Sequence, residues 1–144
     1  MKIKTFTVDE ANRAIPQIKD SFNDIFVMRK HAIFLRNEIR WISEFWGKDL
    51  QDRDNADYDR YRQMEEEIDR MQSRVSGKIE KIESLGCIIK DVETGLVDFY
   101  SLVNGDLAFL CWKYDEKEIT HWHEIETGFG GRRPLTHVDH VERK

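Results

Sequence analysis

From Ala11 to Trp46 the chain carries an apolar or small residue at alternating steps of three and four: Ala11, Ala14, Ile18, Ser21, Ile25, Met28, Ala32, Leu35, Ile39, Ile42 and Trp46. A row with that spacing stays on one side of an α-helix, and sustained over this length it is the seam along which one helix packs on another. Thr7 followed by Glu10 forms a capping-box pattern ahead of the row, and Gly47 supplies a stop behind it. The spacing therefore predicts one helix over residues 8–46, about 58 Å long at about 1.5 Å per residue. Pro16 removes a backbone donor two turns in and predicts a bend near residues 12–16.

A second row, Ile15, Phe22, Phe26 and Ile33, with Phe34, Trp41 and Phe45 farther round, makes the apolar face wider than one partner helix covers. After an acidic connection, Tyr61, Met64, Ile68, Met71, Val75, Lys78, Ile82 and Leu85 repeat the three-four spacing, broken only by Lys78. Gly86 fits the position after a helix end, so residues 56–85 read as a second long helix running back along the first. Arg29, Arg36 and Arg40 share one flank of the first helix, with Lys30 and His31 nearby and Glu65, Glu66 and Glu67 opposite in an antiparallel hairpin. Interhelical ion pairing and nucleic-acid contact both explain such a flank, and the negative total charge favours pairing. The hairpin tip, residues 47–67, is acidic, with four basic and eight acidic groups, which marks a solvated end or a docking surface for a basic partner.

Beyond Gly86 the helical period disappears. Cys87–Lys90, Leu96–Tyr100, Leu107–Tyr114 and Ile119–Ile125 are short strand-like runs separated by turns at 91–95, 104–106 and 115–117. The third run is nearly all apolar, as for a central strand covered on both faces. The fold class expected is α+β: a coiled-coil-like antiparallel two-helix hairpin packed on a four-stranded antiparallel meander over residues 87–126, followed by a Gly/Arg loop and tail at 127–144. The sheet is the natural cover for the wide face of the first helix.

At 144 residues, length leaves room for one domain of about 150. The 35% of charged residues, against about 25% in an average chain, fits two thin helices with more surface than core. Net charge is −5, and neither part is basic: residues 1–86 hold 16 basic against 17 acidic groups, and residues 87–144 hold 7 against 11. That balance argues against general binding to nucleic acid or anionic membrane. Lys2 and Lys4 have no apolar stretch behind them, and runs such as 107–112 fall far short of the roughly 20 residues that span a bilayer, so a cytoplasmic protein is expected. Cys87 and Cys111 lie in apolar segments without a CxxC partner and read as reduced, buried thiols.

Several polar groups are candidates for chemistry. His121 and His123 alternate by two on a presumed strand and so share a face, the spacing of a bidentate metal site that His137 and His140 in the tail would complete. Chance occurrence of such a pair is the competing reading, because no Cys or carboxylate is tied to it by a known metal spacing. Trp122 points to the opposite face, as a core tryptophan does. In Thr127–Pro134, three glycines free the backbone and Arg132 and Arg133 supply forks that suit a carboxylate or phosphate. The alternative is a turn whose arginines pair with Glu124, Glu126 or the helices. The stretch lacks the lysine and Ser/Thr of a P-loop and the spacing of a dinucleotide fingerprint, so no cofactor is implied. Lys90, Asp91 and Asp98 complete the candidates.

Taken together, Phe6–Asn12 with Ile15-Pro16, Gly86–Asp91 with Gly95–Phe99, Leu110–Lys113, Trp122–Glu124 and Gly128–Leu135 resemble the bacterial domain-of-unknown-function family 2203. The resemblance spans residues 6–135 and implies no established activity. It singles out Lys90, Asp91, Asp98, Cys111, Trp112, Trp122, His123 and Arg132, as one assembled site or one internal hydrogen-bond network. Tyr100 stands where the family usually has proline, and His121, His137 and His140 lie outside the shared pattern, which weakens the metal reading.

Three functional expectations follow. The first is a non-enzymatic binding module, homodimeric through leftover apolar helix surface, whose cluster of His123, Arg132, Lys90 and Asp98, with Trp122 and Arg133 alongside, takes a small anion or a partner's carboxylate. The second is a metal-dependent, hydrolase-like enzyme with His121 and His123 as ligands and Asp98 or Glu124 as base. The third is a scaffold in which these groups only stitch sheet to helices.

Overall fold

The computed structural model describes residues 3–136 together with the backbone of Val141–Glu142. Two long helices, α1 (Val8–Trp46) and α2 (Tyr58–Glu83), precede six strands: β1 (Ile88–Asp91), β2 (Leu96–Val103), β3 (Asp106–Lys113), β4 (His121–Glu124), β5 (Arg133–Pro134) and β6 (Val141–Glu142). The chain separates into two compact units, Met1–Phe22 with Ile79–Lys144, and Asn23–Lys78.

In the first unit α1 begins where the capping box places it: Thr7 N–H donates to Glu10 Oε1 (2.9 Å) and Glu10 N–H to Thr7 Oγ1 (3.1 Å). The helix runs on through Pro16. At the other junction α2 ends at Glu83 and Gly86, at φ +103°, turns the chain into β1. The sheet is antiparallel with order β1-β2-β3-β4-β5, and β6 pairs with the far end of β2. The four expected strands are present as β1–β4, and the count of four is corrected by β5, which adds an edge beside β4. A two-residue strand shows no alternation in sequence, and Pro134 fits there because an edge strand needs no second row of donors.

One face of this sheet packs on helix. Val97, Phe99, Leu110 and Trp112 are fully buried; Phe22 of α1 lies 6.4 Å from the Trp112 ring, and Phe6 meets Phe99 edge-on at 5.1 Å. Asn12 Oδ1 accepts from Ile119 N–H (2.7 Å), and Ser101 Oγ donates to the Phe6 carbonyl (2.5 Å), so the polar groups of this layer are satisfied across it.

The second unit is the hairpin expected from the seams. Ala32, Leu35 and Ile42 of α1 pack with Met64, Ile68 and Met71 of α2 and with Leu50 of the connecting turn. Lys78, the one interruption in the α2 row, pairs with Asp24 at 2.8 Å. Cross-helix pairing otherwise joins His31 to Glu67 and Glu38 to Arg60, not the expected Arg36 and Arg40, while Glu65 is held within α2 by Arg62. The wide apolar face is also only partly covered: Phe22 is buried in the first unit, whereas Phe34, Trp41 and Phe45 in the second are 57%, 73% and 77% exposed. No helix of the described residues is long and apolar enough to cross a membrane.

Candidate functional site

The second face of the sheet carries the polar candidates. Strands β2 and β3 are joined by the two-residue turn Asn104-Gly105, both at positive φ (53° and 86°), the conformation that matches strand twist in a tight hairpin. A two-residue turn leaves no freedom of register: Asp98 opposes Cys111 and Tyr100 opposes Phe109. Next along, Phe109 opposes His123 and Cys111 opposes His121. Asp98, Cys111 and His123, from three adjacent strands, thus converge on one face, with exposures of 2%, 0% and 2%.

His123 Nε2 lies 3.0 Å from Asp98 Oδ2, and His123 Nδ1 lies 2.8 Å from the carbonyl of Glu124. A carbonyl only accepts, so Nδ1 carries a hydrogen and the Nε2–Oδ2 contact contains one proton, on either partner. Burial raises the Asp98 carboxyl above its ordinary value, with His123, Lys90 and a hydrogen bond from the Cys111 thiol pulling the other way. Asp98 Oδ1 is buried and has no hydrogen-bond partner. The Cys111 sulfur faces the same carboxyl, and one donor atom from each of Asp98, Cys111 and His123 lies within 4.8 Å of the others. Burial, reinforced by the Asp98 charge and opposed by Arg132, pushes the Cys111 thiol up to about 12. A thiol in that state is not a nucleophile near neutral pH, and neither nitrogen of His123 remains to deprotonate it.

Around this cluster, the His123 ring packs on Phe109 at 5.4 Å. Lys90 is the extra residue of a bulge in β1, between the pairs Ile89–Val97 and Asp91–Leu96; the bulge aims its exposed side chain over Phe109, with Nζ 4.9 Å from the ring centre. Arg132 approaches from the loop: its Nη2 donates to the Cys111 carbonyl (3.3 Å) and to Glu116 (3.0 Å), and its guanidinium lies 4.6 Å from the Phe129 ring.

Of the expected set, Asp98 and His123 meet directly, Lys90 borders them, and Arg132 joins through the Cys111 backbone. Arg133 lies elsewhere, pairing with Glu124 at 2.6 Å and stacking over Trp122, which stands on the helix-facing side opposite Leu110. His121 shares a face with His123, as their spacing predicts, but does not join it in a cluster. Its Nδ1 bonds Thr120 Oγ1 (2.8 Å), and it is outside the one group of metal-capable side chains among the described residues. His137 and His140 lie outside the described residues. Two participants are not placed at this cluster by the residue pattern itself: Cys111, a buried thiol that only the family resemblance draws into one site with Asp98 and His123, and Glu116, the carboxylate that holds Arg132. The Asn104-Gly105 turn contained the signal for the first, since it dictates what faces Asp98.

No curated protein and no solved structure matches this chain. Residues 4–135 match the family described as an uncharacterized conserved protein (DUF2203), and the chain belongs to that family.

Proposed function

We propose that this protein is a non-enzymatic interaction module that self-associates through the outer face of α1. The observation that carries the reading is an exposed apolar stripe: Val27, Phe34, Trp41 and Phe45 are 69%, 57%, 73% and 77% exposed. At about 3.6 residues per turn these four fall within about 40° of one another around the helix and extend for about 27 Å. The repeat of seven from Val27 to Phe34 to Trp41 is that of a coiled-coil seam, distinct from the seam used against α2. Apolar surface of this size on a soluble domain marks a contact site.

A second copy is the occupant the charges favour. Lys30, Asn37 and Glu44 are exposed one position round from the stripe. They run positive, neutral, negative along the helix, so an antiparallel copy sets each Lys30 against the other chain's Glu44. Sedimentation equilibrium tests this. A dimer is expected for the native chain, weakened by Lys30→Glu and restored by adding Glu44→Lys. A monomer at every concentration, or two swaps that weaken additively, contradicts it.

The small-anion reading of the polar cluster has less support, because the forks of Arg132 and Arg133 already hold Glu116 and Glu124.

A further inference from the structure

We propose that Asp98, Cys111 and His123 bind one divalent cation of the zinc class, a borderline ion that accepts a nitrogen, a sulfur and an oxygen donor together. The donor atoms come from three neighbouring strands whose register is fixed, and they already lie within 4.8 Å of one another. A tetrahedral ion with bonds of about 2.0–2.3 Å spaces its donors about 3.3–3.8 Å apart, within reach of small side-chain rotations from that arrangement.

Two further features point to an ion. A metal-bound imidazole donates its far N–H to a carbonyl or carboxylate, which fixes the ring and turns the other lone pair to the metal. His123 has that arrangement: Nδ1 donates to the Glu124 carbonyl and Nε2 faces the other donors. Asp98 Oδ1 is the second feature, a carboxyl oxygen 2% exposed at the residue level and without a hydrogen-bond partner. Such an atom is costly to leave unsatisfied, and coordination satisfies it.

Charge balances in both states. Without the ion, the protonated Cys111 thiol and the Asp98–His123 pair with its single shared proton sum to zero. On binding, metal–sulfur, metal–oxygen and metal–nitrogen bonds form. The Cys111 proton and the shared Asp98–His123 proton leave to solvent, and the hydrogen on Nδ1 stays there, donated to the Glu124 carbonyl. Thiolate, carboxylate, neutral imidazole and dication again sum to zero, as an enclosed site requires. Lys90 and Arg132 are the nearby cations, and Glu116 offsets Arg132.

The test uses the untagged full chain with cobalt(II) as a spectroscopic probe and zinc as competitor, incubated at length because the donors are enclosed. Expected are one ion per chain, a near-ultraviolet thiolate-to-cobalt charge-transfer band that zinc abolishes, and release of two protons per ion. Cys87→Ser keeps the band, Cys111→Ser loses it, and Asp98→Asn weakens binding by more than about tenfold while circular dichroism stays native. Should Cys111→Ser fail to fold, X-ray absorption at the zinc edge of the loaded native chain decides: one sulfur in the coordination shell supports the site. Failure to load, a band that persists in Cys111→Ser, or a shell without sulfur overturns it.

Discussion

Asp98 and His123, 25 residues apart in sequence, meet in one 3.0 Å hydrogen bond between side chains that are each 2% exposed. Because the Glu124 carbonyl commits the far side of the imidazole, the two residues act as a single holder of one proton, and neither is replaced without disturbing the other.

That coupling sets a pH dependence. Burial raises the Asp98 carboxyl above its unfolded value of 3.8, so the folded chain protonates that carboxyl more readily than the unfolded one. Its contribution to stability is complete below the unfolded value and is lost as pH rises through the folded one. Asp98→Asn cannot ionise and removes the loss. In urea titrations with chelator present, the stability of the native chain minus that of Asp98→Asn is expected to fall as pH rises from about 4. A difference that is flat or rising contradicts the assignment.

Both thiols are predicted to be inert in the folded, metal-free chain. Burial pushes Cys87 up to about 11 and Cys111 up to about 12. Reaction with a disulfide reagent at mildly alkaline pH should therefore proceed only as fast as the protein opens, and two thiols should react promptly once denaturant is added. Prompt native labelling of either cysteine speaks against its enclosure.

The adjacent arginines should behave differently. Arg132 is 13% exposed and holds both the half-buried Glu116 and the carbonyl of buried Cys111, so Arg132→Ala leaves both acceptors without this donor and should cost about 1–3 kcal/mol. Arg133 is 60% exposed on its pair with Glu124, and Arg133→Ala should stay within about 0.5 kcal/mol. Equal losses in chemical denaturation refute this division.

Two glycines give opposite signs. Gly86 has φ +103°, and a Cβ there would come within 2.7 Å of the Lys4 side chain, so Gly86→Ala should destabilise by more than about 1 kcal/mol. Gly77 lies inside α2 with nothing within 4 Å of an added Cβ, so Gly77→Ala should stabilise by about 0.5–1 kcal/mol. Thermal melts of the two variants check both signs.

Trp41 separates folding from association. With 73% of its surface exposed, Trp41→Ala should change the stability of the isolated chain by less than about 0.5 kcal/mol while weakening self-association measurably. Dilution to the monomer followed by denaturation measures the first quantity, and sedimentation the second.

The helices were legible because their signals are local: Thr7 with Glu10 starts α1, the three-four rows phase both helices, and Gly86 marks the exit from α2. Flank pairing was not, since which of Glu38, Arg36 or Arg40 meets α2 depends on how the helices cross, not on spacing alone. Asp98 and His123 were recognisable as candidates from the sequence. Their union with Cys111 required strand register, which the Asn104-Gly105 turn supplies for β2 and β3. Arg132 meeting Glu116 was beyond reach, because residues 114–120 form an irregular connection that carries no register. The exposure of Phe34 and Trp41 also defied pattern, as an apolar row reads alike whether its partner lies in the same chain or in another.

Solvent-facing turns ordinarily absorb insertions and deletions more readily than any other part of a fold. Asn104-Gly105, exposed at the tip of its hairpin, is an exception: one added residue slides β3 by a position, turning Cys111 and Phe109 toward the helices and Trp112 toward Asp98. The turn is a ruler for the interior behind it. An indel scan of the gene should find its deepest surface sensitivity at these two turn residues, six positions along the strands from Asp98 and from Cys111.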